Sequence, residues 1–178
     1  FENDPHLVLH GGQVIEWDEA FQYPIGDRLV PEAHEEIVKY CTWRNPFNGP
    51  TVAFKRKEIM DLGGFPVVGA NEDYCLWALI LEHGYTSSNS PEIYVHWRGG
   101  ENLVKRRSNP RYRIGEKQAL DYLRQIGLYT HWQYAVHVVT KNLIRRLPLR
   151  WNIYIYSLLR AKSHLQPAPD RKRSSRSA

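Results

Sequence analysis

Apolar and polar side chains alternate over part of residues 7–17, LVLHGGQVIEW, which predicts a β-strand with an irregularity at Gly11-Gly12. The stretch that follows, through Tyr23, Pro24 and Gly26, is rich in turn residues and reads as a loop. In PEAHEEIVKYCTW, Pro31 suits a first helical position, acids fill the first turn, and Ile37, Val38 and Cys41 are spaced at three and four. A short amphipathic helix is expected there. RNPFNGPTVAFKR sets two prolines and a glycine before the β-branched and aromatic run TVAF, so a rigid turn should deliver the chain into a buried strand. KEIMDLGG then reads as a helical segment stopped at Gly63 or Gly64.

The most informative pattern lies in GANEDYCLWALILEHGY. Asn71 can cap a helix whose first turn holds Glu72 and Asp73, whose apolar positions Leu76, Leu79 and Ile80 recur at three and four, and which Gly84 ends. A strand follows at EIYVHW. Beyond it come a glycine-containing loop, the basic run KRRSNPRYR, and helical stretches near 110–126, 130–146 and 150–163. The tail from Gln166 offers little to bury and is expected to be disordered.

Composition narrows the picture. At 178 residues, with 42% hydrophobic and 12% aromatic content, the chain fits a globular domain rather than a collagen-like or disulfide-framework protein. The apolar run Leu76 to Leu81 is far short of the roughly 20 residues that cross a bilayer. Cys41 and Cys75 both fall in helical segments with bulky neighbours and read as reduced, buried thiols of a cytosolic protein. The chain opens on Phe1 without an initiator methionine, which suggests a processed or truncated product. The net charge of +5 hides an asymmetry: residues 1–97 carry 6 Lys/Arg against 15 Asp/Glu, residues 98–178 carry 18 against 4. The second part therefore reads as a surface for something anionic: phosphate, nucleic acid or anionic lipid.

Acids in the first turn of a helix have an ordinary use, since each gains about 0.3–1 kcal/mol from the helix dipole. At Glu72-Asp73 the setting suggests more, because the loop GGFPVVGAN places the pair at the mouth of the domain, where a carboxylate can accept a proton from a hydroxyl. Three ordered segments carry a resemblance. NPFNGPTVAFKRKEIMDLGGF resembles the NPFNHPTVMFRK…GGY segment of the inverting family 2 glycosyltransferases of bacterial polysaccharide assembly. GANEDYCLW resembles that family's ED-x-x-LW motif, and YVHWRGGENLVKRR its Y-x-x-x-R-x-G…RR stretch. Position 49 is Gly where the family often has His.

The resemblance implies an α/β chain: a partial GT-A fold with a mixed sheet, followed by a helical basic extension. It implies residues 1–97 as the acceptor-side half of the catalytic domain, 98–165 as basic loop plus helices, and 166–178 as tail. Asp73 maps onto the general base, with Glu72 orienting the acceptor or the base. Arg98, Arg106, Arg107, Asn45, Asn48 and Trp77 fall in motifs that bind the donor diphosphate or the acceptor. A divalent metal, Mg or Mn, is expected, but the family's D-x-D ligands occur nowhere in this chain. FENDPHLVLHGG resembles the stretch just after that motif, so about three βα units of ~30 residues each would be missing. The isolated chain is then expected to be inactive and to expose apolar sheet edges.

Other readings stay open. Arg98, Lys105, Arg106 and Arg107 also fit a solvated basic loop. His96 is a candidate metal ligand or a structural strand histidine. Trp132, Ala135, Val136, Val139 and Leu143 fall on one helical face, which suits either packing on the catalytic domain or peripheral contact with the inner face of the cytoplasmic membrane. The implied partners are a nucleotide-sugar donor and a glycan or lipid-linked acceptor. A non-catalytic module for nucleic acid or anionic membrane is the alternative, although the chain carries no RNP1, KH or paired Cys/His module.

Overall fold

A computed structural model describes residues 1, 4–99, 109–148, 151 and 154. Its axis is β1 (Leu7–Trp17), the strand expected from the alternation. Strand β4 (Thr86–Arg98) runs parallel to β1 over its whole length, from Leu7 opposite Thr86 to Trp17 opposite Arg98. Strands β2 (Pro24–Arg28) and β3 (Ala53–Phe54) are antiparallel to β1 and share its other edge, β3 at its beginning and β2 at its end. The sheet is therefore mixed. Gly11 and Gly12 sit where the β1–β4 register shifts. A Cβ on Gly11 would come within 2.5 Å of Asn89 Oδ1, and one on Gly12 within 2.5 Å of the Tyr94 ring, so a side chain at either position would have to displace a side chain of β4.

Between β2 and β4 the chain forms α1 (His34–Cys41), a 3-10 turn (Gly49–Thr51), β3, α2 (Arg56–Asp61) and α3 (Glu72–Glu82). α4 (Pro110–Gln125) and α5 (His131–Arg146) follow. α4 starts at Asn109, whose side chain accepts the Arg111 amide at 2.9 Å, with Pro110 in the first helical turn. α5 starts at a capping box in which Thr130 and Gln133 satisfy each other's amides.

α3 is apolar almost all round because it is surrounded. Its residues Cys75, Leu76, Ala78 and Ile80 are fully buried, in one cluster with Val8 and Leu9 of β1, Ile37 of α1, and Ala119, Leu120 and Leu123 of α4. Each of the Val, Leu and Ile side chains among them contributes about 1.5–3 kcal/mol by leaving water. Polar bonds fix the register: the Tyr74 hydroxyl donates to the Cys41 carbonyl and shares a 2.9 Å bond with the Tyr129 hydroxyl. Gly84, at φ 75°, ends the helix as expected.

Cys41 and Cys75 are both free and buried. Burial pushes the Cys41 thiol well up, and pushes Cys75 up to about 12. Neither thiol should react with an aromatic disulfide reagent at neutral pH in the folded chain, and both should titrate once denaturant is added. Rapid reaction of one thiol without denaturant would mean that α3 opens locally.

Four expectations need correction. Pro24 and Gly26 belong to a strand, β2, because the Asp18 carboxylate accepts the Gln22 and Tyr23 amides at 2.6 and 3.0 Å and closes a hairpin. Those bonds, Tyr23's foremost, also hold the Asp18 carboxyl below its usual range. α1 begins at His34 rather than Pro31, whose carbonyl instead accepts from the Asn89 amide at 2.6 Å. The TVAF strand is two residues long, with Ala53 exposed, since Gly49–Thr51 is a 3-10 turn. β4 begins at Thr86, six residues before Glu92. Its first half is polar yet partly buried: Ser87 bonds to His34 Nδ1, and Asn89 donates to the Pro31 and Pro46 carbonyls.

Met60, Phe65 and Val67, in the segment after β3, are exposed. Of the helix expected at 150–163 only Trp151 and Tyr154 are among the described residues, and the tail lies outside them.

Candidate active site

Asp73 stands in the first turn of α3 and is half-buried. Its Oδ1 accepts the Tyr74 amide at 2.7 Å, satisfying a helix N–H with no intrahelical partner. Its Oδ2 accepts from Asn45 Nδ2 at 3.2 Å. Asn45 is oriented in turn, because its Oδ1 accepts the Phe47 amide at 3.1 Å. One oxygen of the carboxylate thus serves the helix, while the other is aimed by an amide twenty-eight residues earlier.

The NPFNGPT loop is clipped to the sheet to make this possible. Asn48 is fully buried and donates to the Gly12 and Arg28 carbonyls at 2.9 and 3.0 Å, joining β1 to β2. The Thr51 hydroxyl accepts the Gly12 amide at 3.0 Å. Gly49 passes directly over the carboxylate: a Cβ there would lie 3.2 Å from Asp73 Oδ2. With no side chain at 49, nothing from that position crowds Oδ2, and a carboxylate oxygen that accepts one bond from Asn45 has a second lone pair.

Asn71 precedes α3 as expected, but its side chain does not cap the helix. It adopts the left-handed conformation, φ 57° and ψ 33°, and its Oδ1 accepts the Tyr112 hydroxyl of α4 at 3.1 Å. Glu72, beside Asp73, is exposed. The loop before it is held by α4 as well, since the Gly69 amide donates to Gln118 Oε1 at 3.0 Å. Neither tie has a local sequence signal, because each partner lies more than forty residues away.

The other candidate residues are placed differently. Trp77, one turn after Asp73, is 2% exposed and packs edge-on or tilted against Phe47, Phe54 and Phe65 with ring centres 6.0–6.2 Å apart. Trp77 and Asn48 therefore lie in the frame beneath the loop, out of reach of a solvent-borne ligand. Arg98, at the end of β4, is exposed and lies over the Phe21 ring, 5.8 Å from its centre. His96 Nδ1 accepts the Trp17 indole N–H at 3.0 Å. A neutral imidazole so engaged carries its proton on Nε2, which leaves no lone pair for a metal ion. No group of three or more His, Cys, Asp or Glu that could hold a metal occurs among the described residues. Arg106 and Arg107 lie outside the described residues.

Comparison with known proteins gives the class of this arrangement. No family model and no solved structure matches the chain. Curated relatives do. The UDP-Gal:alpha-D-GlcNAc-diphosphoundecaprenol beta-1,3-galactosyltransferase of Escherichia coli is 32% identical over 143 residues, 79% of this chain and 52% of the relative. An uncharacterized glycosyltransferase of Haemophilus influenzae is 34% identical over 60% of this chain and 39% of its own length. The amylovoran biosynthesis glycosyltransferase of Erwinia amylovora is 26% identical over 87% of this chain and 58% of its own. The chain is a homologue of bacterial glycosyltransferases, and its α/β architecture is compatible with part of a nucleotide-sugar transferase fold. It spans about half the length of the curated relatives it matches.

Proposed function

We propose that this chain is the acceptor-side half of an inverting family 2 glycosyltransferase that acts on a glycan or lipid-linked acceptor in bacterial surface polysaccharide synthesis. The observation that supports it most is the Asp73 carboxylate, held at both oxygens by the Tyr74 amide and Asn45, with Oδ2 left uncrowded by Gly49. The acceptor hydroxyl gives its proton to Oδ2 as its oxygen attacks the anomeric carbon. The bond from that carbon to the diphosphate oxygen breaks, its electron pair leaves with the nucleotide, and the configuration inverts. A weak base suffices, because the diphosphate is already a good leaving group. Arg98 is offered as a donor-diphosphate contact, with Arg106 and Arg107. The divalent ion remains part of this reading only with ligands beyond the described residues.

The test is transfer of labelled sugar from a nucleotide diphospho-sugar to a lipid-linked acceptor by the complete protein. Asn45→Ala should lower turnover about tenfold by releasing Asp73 from its position, with donor affinity unchanged. Loss of donor affinity with turnover preserved would make Asn45 a donor contact instead.

A further inference from the structure

Helix α5 is apolar on two opposite faces. The inward face is engaged: Tyr134 and Val138 pack on the core cluster, His137 Nε2 donates to the Thr42 carbonyl at 3.0 Å, and Lys141 pairs with buried Glu116 at 2.9 Å. The outward face holds Trp132, Val139 and Leu143, which are 75%, 55% and 59% exposed, with Ala135 beside them and Arg146 at the end of the stripe. These are most of the residues whose common face was open between packing on the domain and meeting a membrane. The structure turns that face outward.

We propose that the outward face of α5 docks in the plane of an anionic lipid bilayer. Charge selects this occupant. From residue 122 to residue 169 the sequence has seven Lys/Arg and no Asp or Glu, so the stripe sits within a long purely cationic segment. Lys141 faces inward on Glu116 and Arg124 lies over the Tyr134 ring, so among the described residues Arg146 marks the cationic end of the stripe, and a positive segment of this kind is drawn to anionic headgroups rather than to a second copy of itself. Shape agrees. The stripe from Trp132 to Leu143 is a straight, convex line about 17 Å long at 1.5 Å per residue, and an indole at one end suits the headgroup boundary. No helix among the described residues is long and apolar enough to cross a membrane, so the contact is interfacial. The inference deepens the proposed function, since a docked helix brings the site to a lipid-linked acceptor, but it does not depend on Asp73.

The experiment is flotation of the full chain with vesicles of phosphatidylglycerol and phosphatidylcholine, and with vesicles of phosphatidylcholine alone. Binding is expected to the anionic vesicles, weakened by salt. The triple variant Trp132→Ser, Val139→Ser, Leu143→Ser should lose it by about tenfold or more while melting at the same temperature. Arg146→Gln should weaken only the anionic component. Asp73→Asn should float like the parent, so failure of the catalytic reading would not be mistaken for failure of docking. The proposal is overturned if the parent chain ignores anionic vesicles, or if the triple variant binds them equally well. It is likewise overturned if the variant's only change is loss of a dimer or of oligonucleotide binding.

Discussion

Asp73→Asn in the complete protein should cut turnover by about 10² or more while leaving donor affinity nearly unchanged. The substitution keeps the volume and the oxygen that accepts the Tyr74 amide, so the start of α3 keeps one of its two anchors. What it removes is the basic oxygen. The new amide would also point a donor at Asn45 Nδ2, and Asn45 is not free to turn over, because its own oxygen holds the Phe47 amide. If Asp73 serves the fold alone, the mutant loses about 0.3–1 kcal/mol of dipole interaction together with the Asn45 bond, and transfers sugar normally. The two roles therefore separate cleanly: a kinetic loss with little change in melting temperature supports the base, and a melting loss with intact turnover removes Asp73 from the mechanism. Exposed Glu72 supplies the internal comparison. Glu72→Gln alters the same helix start by one charge, but in the proposed mechanism it touches no transferred proton and should cost much less turnover.

The parts of this fold that were legible in the sequence are those whose partners are close along the chain or whose periodicity is long. β1 showed itself by alternation, and α3 by an apolar run between an asparagine and a glycine. β2 was hidden because the signal read as a loop, Pro24 and Gly26, is here the entry of a hairpin that Asp18 closes. The first half of β4 was hidden because Ser87 and Asn89 look like surface residues. They can be buried because carbonyls and a histidine from more than forty residues away engage the Ser87 hydroxyl and the Asn89 side-chain N–H groups.

The candidate site shows a similar limit. Recognising the motifs brought Asn45, Asn48, Asp73 and Trp77 forward together, and the structure separates them. Asn45 reaches the carboxylate, whereas Asn48 and Trp77 build the floor that carries it. A motif records residues that the site needs in either capacity, and the spacing alone does not distinguish them.

Replacing Gly115 should have the largest effect on stability, and the consequence should reach Asp73. In α4, a Cβ at Gly115 would lie 2.3 Å from the Gly69 carbonyl carbon and 2.6 Å from both the Gly69 oxygen and the Ala70 nitrogen. These are backbone atoms of the loop that leads into α3, with no rotamer to yield. Gly115→Ala has a built-in opposing effect, since removing a glycine from a helix interior should by itself gain about 1 kcal/mol. The steric conflict should outweigh it, giving a net loss of about 1–3 kcal/mol, and Gly115→Val should lose more because its branched Cβ adds bulk at the same point. The urea midpoint should fall without a change in slope, which marks lost stability rather than a different unfolded state. A gain in stability for Gly115→Ala would mean that helix propensity is the only force acting and that the loop does not press on α4. If the loop is displaced, the Gly69 amide leaves Gln118, Asn71 leaves Tyr112, and the first turn of α3 shifts with them. A folded population of Gly115→Ala should then transfer sugar more slowly in the complete protein even where no residue near the carboxylate has changed, because a displacement of about 1 Å at a reacting group can cost 10²-fold in rate.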